Sequence, residues 1–302
     1  MRKTSAALAT LTFAALALTG CSSSTAAFDG ETCDRAAASS RALADSVTAT
    51  GEIGAAPEVD IVTPLAGKKS SFADAVVGEG TVIVSESQPF LANVTTYDGT
   101  TGDEMQTTGY DRDATPPHDI AYWNQLSPAL GAALQCATGG SRVVAAVTAE
   151  DLGGTADQGS VVFVFDIPEV FLSKAEGDPQ FNDARGLPTV VRAPDGTPGV
   201  IIPDTPAPTE TVAQTLIRGD GPIVTEDDFV VVNHTVLNWD DKQVATTTWG
   251  SASLVTAPLP EMVGATVGSQ LMIIIPGEDD ASAQVVVVDI LGISPTAPQQ
   301  QQ

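Results

Sequence analysis

Side chains able to do chemistry are sparse in this chain and far apart. Its 302 residues contain two histidines, His118 and His234, and three cysteines, Cys21, Cys33 and Cys136. That set cannot make a four-ligand zinc site and a structural disulfide together, and no metal or cofactor is expected. Asp111, Asp113 and Asp119, and the run Glu278-Asp279-Asp280, could suggest calcium, but neither has the spacing of an EF-hand loop. They read as solvated acidic loops. Gly78-Glu79-Gly80 and Gly219-Asp220-Gly221 lack the Lys-Ser/Thr of a phosphate loop and read as turns ahead of strands. There is no Gly-x-Ser-x-Gly, so a hydrolase nucleophile elbow has no support. Asn93-Val94-Thr95 and Asn233-His234-Thr235 fit the glycosylation sequon but fall inside strand-like runs, which argues against their use. Trp239 and Trp249 are expected in core or rim packing. His234 sits in an apolar strand, either satisfied by a neighbour or lining a pocket. His118 follows Pro116-Pro117 and is expected in an exposed loop.

The N-terminus carries a different kind of chemistry. Arg2 and Lys3 precede an apolar run from Ala6 to Leu18, then Leu18-Thr19-Gly20-Cys21. A basic start, a short apolar stretch and small residues at a cut form a secretory signal. The run is too short to span a bilayer, which takes about 20 residues. The last four residues look like a lipobox, so residues 1–20 are expected to be removed and Cys21 to carry a diacylglyceryl thioether. An ordinary cleaved signal with an accidental cysteine is the alternative. Outside the membrane disulfides are permitted. Cys33 and Cys136 then have one pairing available, the alternative being two isolated buried thiols. A bridge would close a loop of about 100 residues, for which the chain-entropy estimate is ~4–5 kcal/mol.

Charge narrows the partners. Thirteen Lys+Arg against 38 Asp+Glu give a net charge of −25. Phosphate neutralisation needs a basic face, so nucleic-acid binding is excluded, as is electrostatic adhesion to anionic lipid. Membrane attachment therefore has to come from acyl chains. The chain is 43% hydrophobic, enough for real cores, but only 5% aromatic, so any pocket is poor in rings.

The elements repeat. Pro57-Glu58-Val59-Asp60-Ile61, Gly78-Glu79-Gly80 and Ile83-Val84-Ser85-Glu86 recur 141, 141 and 140 residues later as Pro198-Gly199-Val200-Ile201-Ile202, Gly219-Asp220-Gly221 and Ile223-Val224-Thr225-Glu226. Strand-like runs follow each, Phe90 to Tyr97 and Phe229 to Trp239. Gly140-Ser141-Arg142 then matches Gly268-Ser269-Gln270, and each copy closes on an acid and a branched residue, Asp166-Ile167 and Asp289-Ile290. Order kept while spacing drifts is the mark of a duplication. The runs read as strands, with one short helix expected per copy: Ser127 to Leu134, with Ser127 as N-cap and Pro128 in first position, and a weaker one over Pro258 to Val263. The class is α+β, an antiparallel sheet wrapped on a helix in each copy. The expected divisions are signal 1–20, anchor and tether 21–51, first domain 52–174, linker 175–195, second domain 196–293 and a disordered tail 294–302.

From Gly219 to Leu291, the second copy resembles an FK506-binding-protein (FKBP) type peptidyl-prolyl isomerase domain, through Val230-Val231-Val232-Asn233-His234-Thr235, Val267-Gly268-Ser269-Gln270 and Ile273-Ile274-Ile275-Pro276. The first copy looks like a diverged member, and lipid-anchored acidic two-copy chains of this kind look like those of actinobacteria. The resemblance implies a curved sheet over a short helix with an apolar cleft between them. It implies rotation of X–Pro bonds without nucleophile or proton transfer, by a dry cleft favouring the twisted amide over a barrier of roughly 18–20 kcal/mol. Carried over residue by residue, the cleft of the second copy would be lined by His234, Val244, Ala245, Leu254, Val255, Pro258 and Val287. The family's aromatic–Asp pair falls on Ala245-Thr246 or Val244-Ala245, its floor tryptophan on Pro258 and its late phenylalanine near Val287, while Gly277-Glu278-Asp279-Asp280 replaces a tyrosine-bearing flap. In the first copy the pair reads Met105-Gln106, the floor lies near Leu130, and Phe163 or Phe165 supplies a ring. The frame is kept and the aromatic lining is lost. Two expectations follow: an isomerase at the extracytoplasmic face of the cell membrane acting on proline-containing segments of exported proteins, or a non-catalytic binding or chaperone-like module of the same frame.

Overall fold

Valine, isoleucine and threonine stiffen the backbone toward extended conformations. In the computed structural model such runs pair into two separate antiparallel sheets. Residues 27–28, 31–65, 67–110, 116–182, 185–277 and 281–297 are described. The signal, Cys21, Asp111, Asp113 and the acidic run 278–280 lie outside them.

The first unit begins with β1 (Ala27–Phe28) and β2 (Glu31–Thr32), the helical turns α1 (Arg35–Ala38) and α2 (Arg41–Ala44), and the hairpin β3 (Val47–Thr50) and β4 (Glu58–Ile61). Then come β5 (Ser71–Val76), β6 (Phe90–Asp98), β7 (Glu104–Thr107), α3 (Ile120–Leu126), α4 (Pro128–Leu134), β8 (Ser141–Thr148) and β9 (Ser160–Val170). The second unit has β10 (Asp178–Pro179), β11 (Thr189–Arg192), β12 (Pro198–Ile201), β13 (Val212–Arg218), β14 (Phe229–Asn238), β15 (Val244–Thr247), β16 (Leu254–Thr256), β17 (Gln270–Ile275) and β18 (Gln284–Ser294). The first sheet runs β5-β8-β9-β6-β7 and the second β10-β13-β17-β18-β14-β15, with β16 also on β14. Without β10 and β16 the two orders correspond strand for strand. Each unit also has a separate hairpin, β3–β4 and β11–β12.

The repeated landmarks are joints of the frame. A Cβ on Gly78 would lie 2.1 Å from the Gly139 carbonyl oxygen, and one on Gly219 2.1 Å from that of Val267. Only glycine allows this approach. Gly78 N donates to Ser141 Oγ at 2.9 Å, and Thr138 Oγ1 donates to Gly78 O at 2.8 Å. In the second unit Gly219 N donates to Ser269 Oγ at 3.0 Å, and Thr266 Oγ1 to Gly219 O at 2.6 Å.

The helix expectation is corrected in both units. Ser127 caps α4 as expected, its Oγ accepting from Ala129 N at 3.2 Å. It is preceded by an unexpected helix, α3, capped by Asp119 Oδ1, which accepts from Tyr122 N at 2.8 Å. The second unit has no α-helix among its described residues. Pro260–Met262 makes one 3₁₀ turn, and Leu254–Thr256 before it is a strand. Pro258 and Pro260 lack amide donors and Gly264 closes the stretch, so no α-helical ladder is built there.

Residues 35–50, read as tether, are folded. Leu43, Val47 and Ala49 are buried against Ala73, Tyr97, Val144 and Val164 on the sheet face opposite α3 and α4. Cys33 and Cys136 are disulfide-bonded with their Cα atoms 5.5 Å apart. The stretch 175–195, read as a linker, contributes β10, paired with β13, and β11, paired with β12. Ser294 and Thr296, placed in the tail, are buried and hydrogen-bonded to each other at 3.1 Å. Leu91, Phe171, Val231 and Leu291 form a buried cluster between the units. There Leu172 N donates to Leu291 O at 3.1 Å, and Glu176 N to Gly268 O at 2.9 Å.

Candidate functional site

Whether a cleft exists depends on which side chains share a sheet face. Along β14, Val230 and Val232 belong to the core beneath Met262, and partly buried Val236 packs against it. Val231 and Leu237 belong to clusters on the other side. His234 shares the parity of the first group, because side chains alternate along a strand. It pairs across the ladder with Val288, and its amide donates to Thr248 Oγ1 at 2.9 Å. Burial pushes its imidazole below the ordinary histidine value.

The other six expected cleft residues do not gather around it. Val244 and Ala245 are exposed on the edge strand β15, and Leu254 is 44% exposed. Val255 pairs with Val231 and packs on the inter-unit cluster. Pro258 is half-buried in the connection before the 3₁₀ turn. Val287 is buried with Leu237, Trp239 and Met272 on the sheet face opposite Met262. A one-residue shift of register moves a side chain across the sheet; the residues of this strand facing the Met262 side are Val286, Val288 and Ile290. Met262 itself is 1% exposed and packs in the core on the face that carries Val288.

In the first unit the rings belong to the core. Trp123 stands edge-on to Phe165, ring centroids 5.0 Å apart, with Phe163 stacked beyond at 6.1 Å. Leu130 and Phe165 are fully buried and Val94 nearly so. Met105 and Gln106, at the family's pair, are exposed on the edge strand β7.

The buried polar groups hold the frame. Arg142 and Asp166, both fully buried, form a two-pronged pair with contacts of 2.5 and 2.7 Å. Gly54 N donates to the same carboxylate at 3.0 Å. In the second unit Gln270 Nε2 donates to Asp289 Oδ1 at 2.7 Å, and Ala175 N to its Oδ2 at 2.7 Å. Burial pushes the Asp289 carboxyl up, against those hydrogen bonds and Arg192, 3.7 Å away. Asn93 and Asn233 are buried in their strands. Asn233 Oδ1 accepts from Ser253 Oγ at 2.9 Å, so neither sequon asparagine is presented for modification. Trp239 Nε1 donates to Thr205 O at 3.0 Å in the core. Trp249 lies over Gly196, where a Cβ would come within 2.8 Å of its ring. His118 is not in an exposed loop: it bridges to Phe90 and stacks on Tyr122 at 3.9 Å. Among the described residues no group of three or more His, Cys, Asp and Glu is placed to hold a metal ion, and no helix is long and apolar enough to cross a membrane.

No protein-family model matches the chain, and no curated protein matches it. Solved structures similar to it include the three FKBP domains of wheat FKBP73, at 12% identity over 74% of this chain and 94% of that one, TM-score 0.33. FkpA from Escherichia coli matches at 19% identity over 37% of this chain and 54% of that one, TM-score 0.26. AtFKBP13 matches at 15% identity over 33% and 92%, TM-score 0.28. Overall superposition this low leaves the functional reading to the chain's own residues.

Proposed function

We propose that the chain is an FKBP-like binding module of two tandem units, held by a lipid on Cys21 at the extracytoplasmic face of the cell membrane, where it engages segments of exported proteins without catalysing prolyl rotation. The observation that carries this is the state of the two crevices. In the first, Trp123 packs in the core against Phe165; in the second, the expected walls lie on an edge strand or on the opposite face. A rotamase has to hold a prolyl ring dry and favour the twisted amide over both planar forms, and the side chains expected to do this in the second unit do not converge. The Cys33–Cys136 disulfide supports an oxidising compartment.

The isomerase reading has one observation in its favour: half-buried His234 beside Val288 on the Met262 face. The two readings part in a prolyl-isomerisation assay of a short X–Pro peptide with the full chain in detergent. The expected rate equals that of buffer. A rate above buffer that disappears in His234→Ala would establish catalysis in the second unit instead.

A further inference from the structure

Two adjoining cavities lie between the units. One cavity of about 360 Å³ is lined by Pro89, Pro117, His118 and Tyr122 from the first unit and by Val231 and Val255 from the second. A second, of about 740 Å³, has Glu86, Lys174, Asp195 and Trp249 in its wall and Ala27 on its rim. Asp119, Ala121, Ser251 and Ala252 line both, so the two are lobes of one groove. Their sizes fall in the usual range for ligand sites, roughly 300–1,000 Å³.

The lobes differ in what they can hold. The first is walled by rings and branched aliphatics. His118 and Tyr122 stack at 3.9 Å, only 11° from parallel, and Tyr122 remains 46% exposed. Burial holds the His118 imidazole below its ordinary value despite Asp119 beside it, and Asp119 is the one acidic side chain in this wall. The second lobe is acidic. Glu86 and Asp195 are exposed, Asp119 is shared with the first lobe, and the opposing Lys174 is tied to Pro194 O at 2.5 Å. The junction is made of small side chains, which leaves room for a backbone to cross. The walls are fixed relative to each other: Phe171 is packed so closely against the second unit that a Cβ on Gly292 would come within 2.3 Å of its ring.

We infer that this groove is a preformed binding site for an extended cationic polypeptide segment, an aromatic or prolyl ring seated against Tyr122 and Val255 and a following Lys or Arg against Glu86 and Asp195. Charge complementarity selects that occupant: three carboxylates, Glu86, Asp119 and Asp195, share the second lobe with one ammonium, Lys174, and the chain as a whole carries −25. This deepens the reading of the chain as a polypeptide binder and is independent of the crevices.

The test is titration of the full detergent-solubilised chain with a blocked Gly-Phe-Pro-Lys-Lys-Gly hexapeptide and its Glu-for-Lys counterpart. The basic peptide should bind at least tenfold tighter than the acidic one. Tyr122→Ala and Glu86→Lys should each weaken basic-peptide binding about tenfold, and Glu86→Lys should improve binding of the acidic peptide. Both side chains are exposed, and thermal unfolding of each variant checks that the fold is kept. Binding that is unchanged by both substitutions overturns the groove site. If neither hexapeptide binds while a reduced, alkylated secretory protein does, the groove is overturned and the binder reading stands. If nothing binds, both fall.

Discussion

At the scale of single residues, one ring stands in the core of the first unit. Trp123 is wedged edge-on against Phe165 above a fully buried Leu130. Truncating such a side chain removes its transfer free energy and leaves a cavity, typically at a cost of 3–5 kcal/mol. Trp123→Ala should lose about that much in urea unfolding, and added indole should restore part of the lost stability by filling the hole. No restoration would mean that the site collapses rather than staying open. A second residue-scale expectation concerns Asp289, whose carboxyl is held up by burial. A raised folded-state value means that the native chain binds this proton more tightly than the unfolded chain. Its contribution therefore favours folding below the ordinary carboxylate range and is lost as pH rises through the folded value. Carboxyl NMR should find Asp289 titrating above the ordinary aspartate value, and Arg192→Ala should move it higher still, because the nearby guanidinium favours the ionised form. A downward move would refute that role for Arg192.

At the scale of elements, the duplication is built from matching joints. Gly78→Ala and Gly219→Ala each drive a methyl group into a carbonyl at 2.1 Å. Each should cost about 3 kcal/mol or more, at the severe end for single substitutions, and equilibrium unfolding measures it. A loss under 1 kcal/mol would show that the joint has slack. The landmarks of these joints, the glycine runs and the Gly-Ser steps at Ser141 and Ser269, were legible as a repeat; the joints themselves were not, because 63 residues separate Gly78 from Ser141 and 50 separate Gly219 from Ser269. The strand runs were legible because their chemistry is local. The helices were less so. α3 begins at Asp119 beside a proline-rich loop, and its Tyr122-Trp123 pair reads as easily as strand. The second helix was expected by analogy with the first copy, where Pro258 and Pro260 argue against it. The cleft was least legible. Val287 and Val288 are alike in composition, and only the pairing of His234 with Val288 decides which one faces Met262. Residues 35–50 were missed because Leu43, Val47 and Ala49 lie among Ala, Ser and Thr, a composition that resembles a tether.

At the scale of the molecule, the two units are fused more firmly than a linker reading implied. Gly292 admits Phe171 into the second sheet, and backbone hydrogen bonds from Leu172 and Glu176 extend the contact. Gly292→Val should split one cooperative unfolding transition into two in calorimetry and open the 175–195 stretch to proteolysis. A single transition at reduced temperature would instead place the damage inside the second unit.

Ala27 stands on the rim of the larger lobe, and only six peptide steps separate it from Cys21. A fully stretched chain advances at most ~3.6 Å per residue, so that leash reaches about 20 Å. Under the proposed acylation of Cys21, a leash of that length would keep the groove within about 20 Å of the lipid surface, a reach that would favour polypeptide leaving the bilayer over chains arriving from the far side.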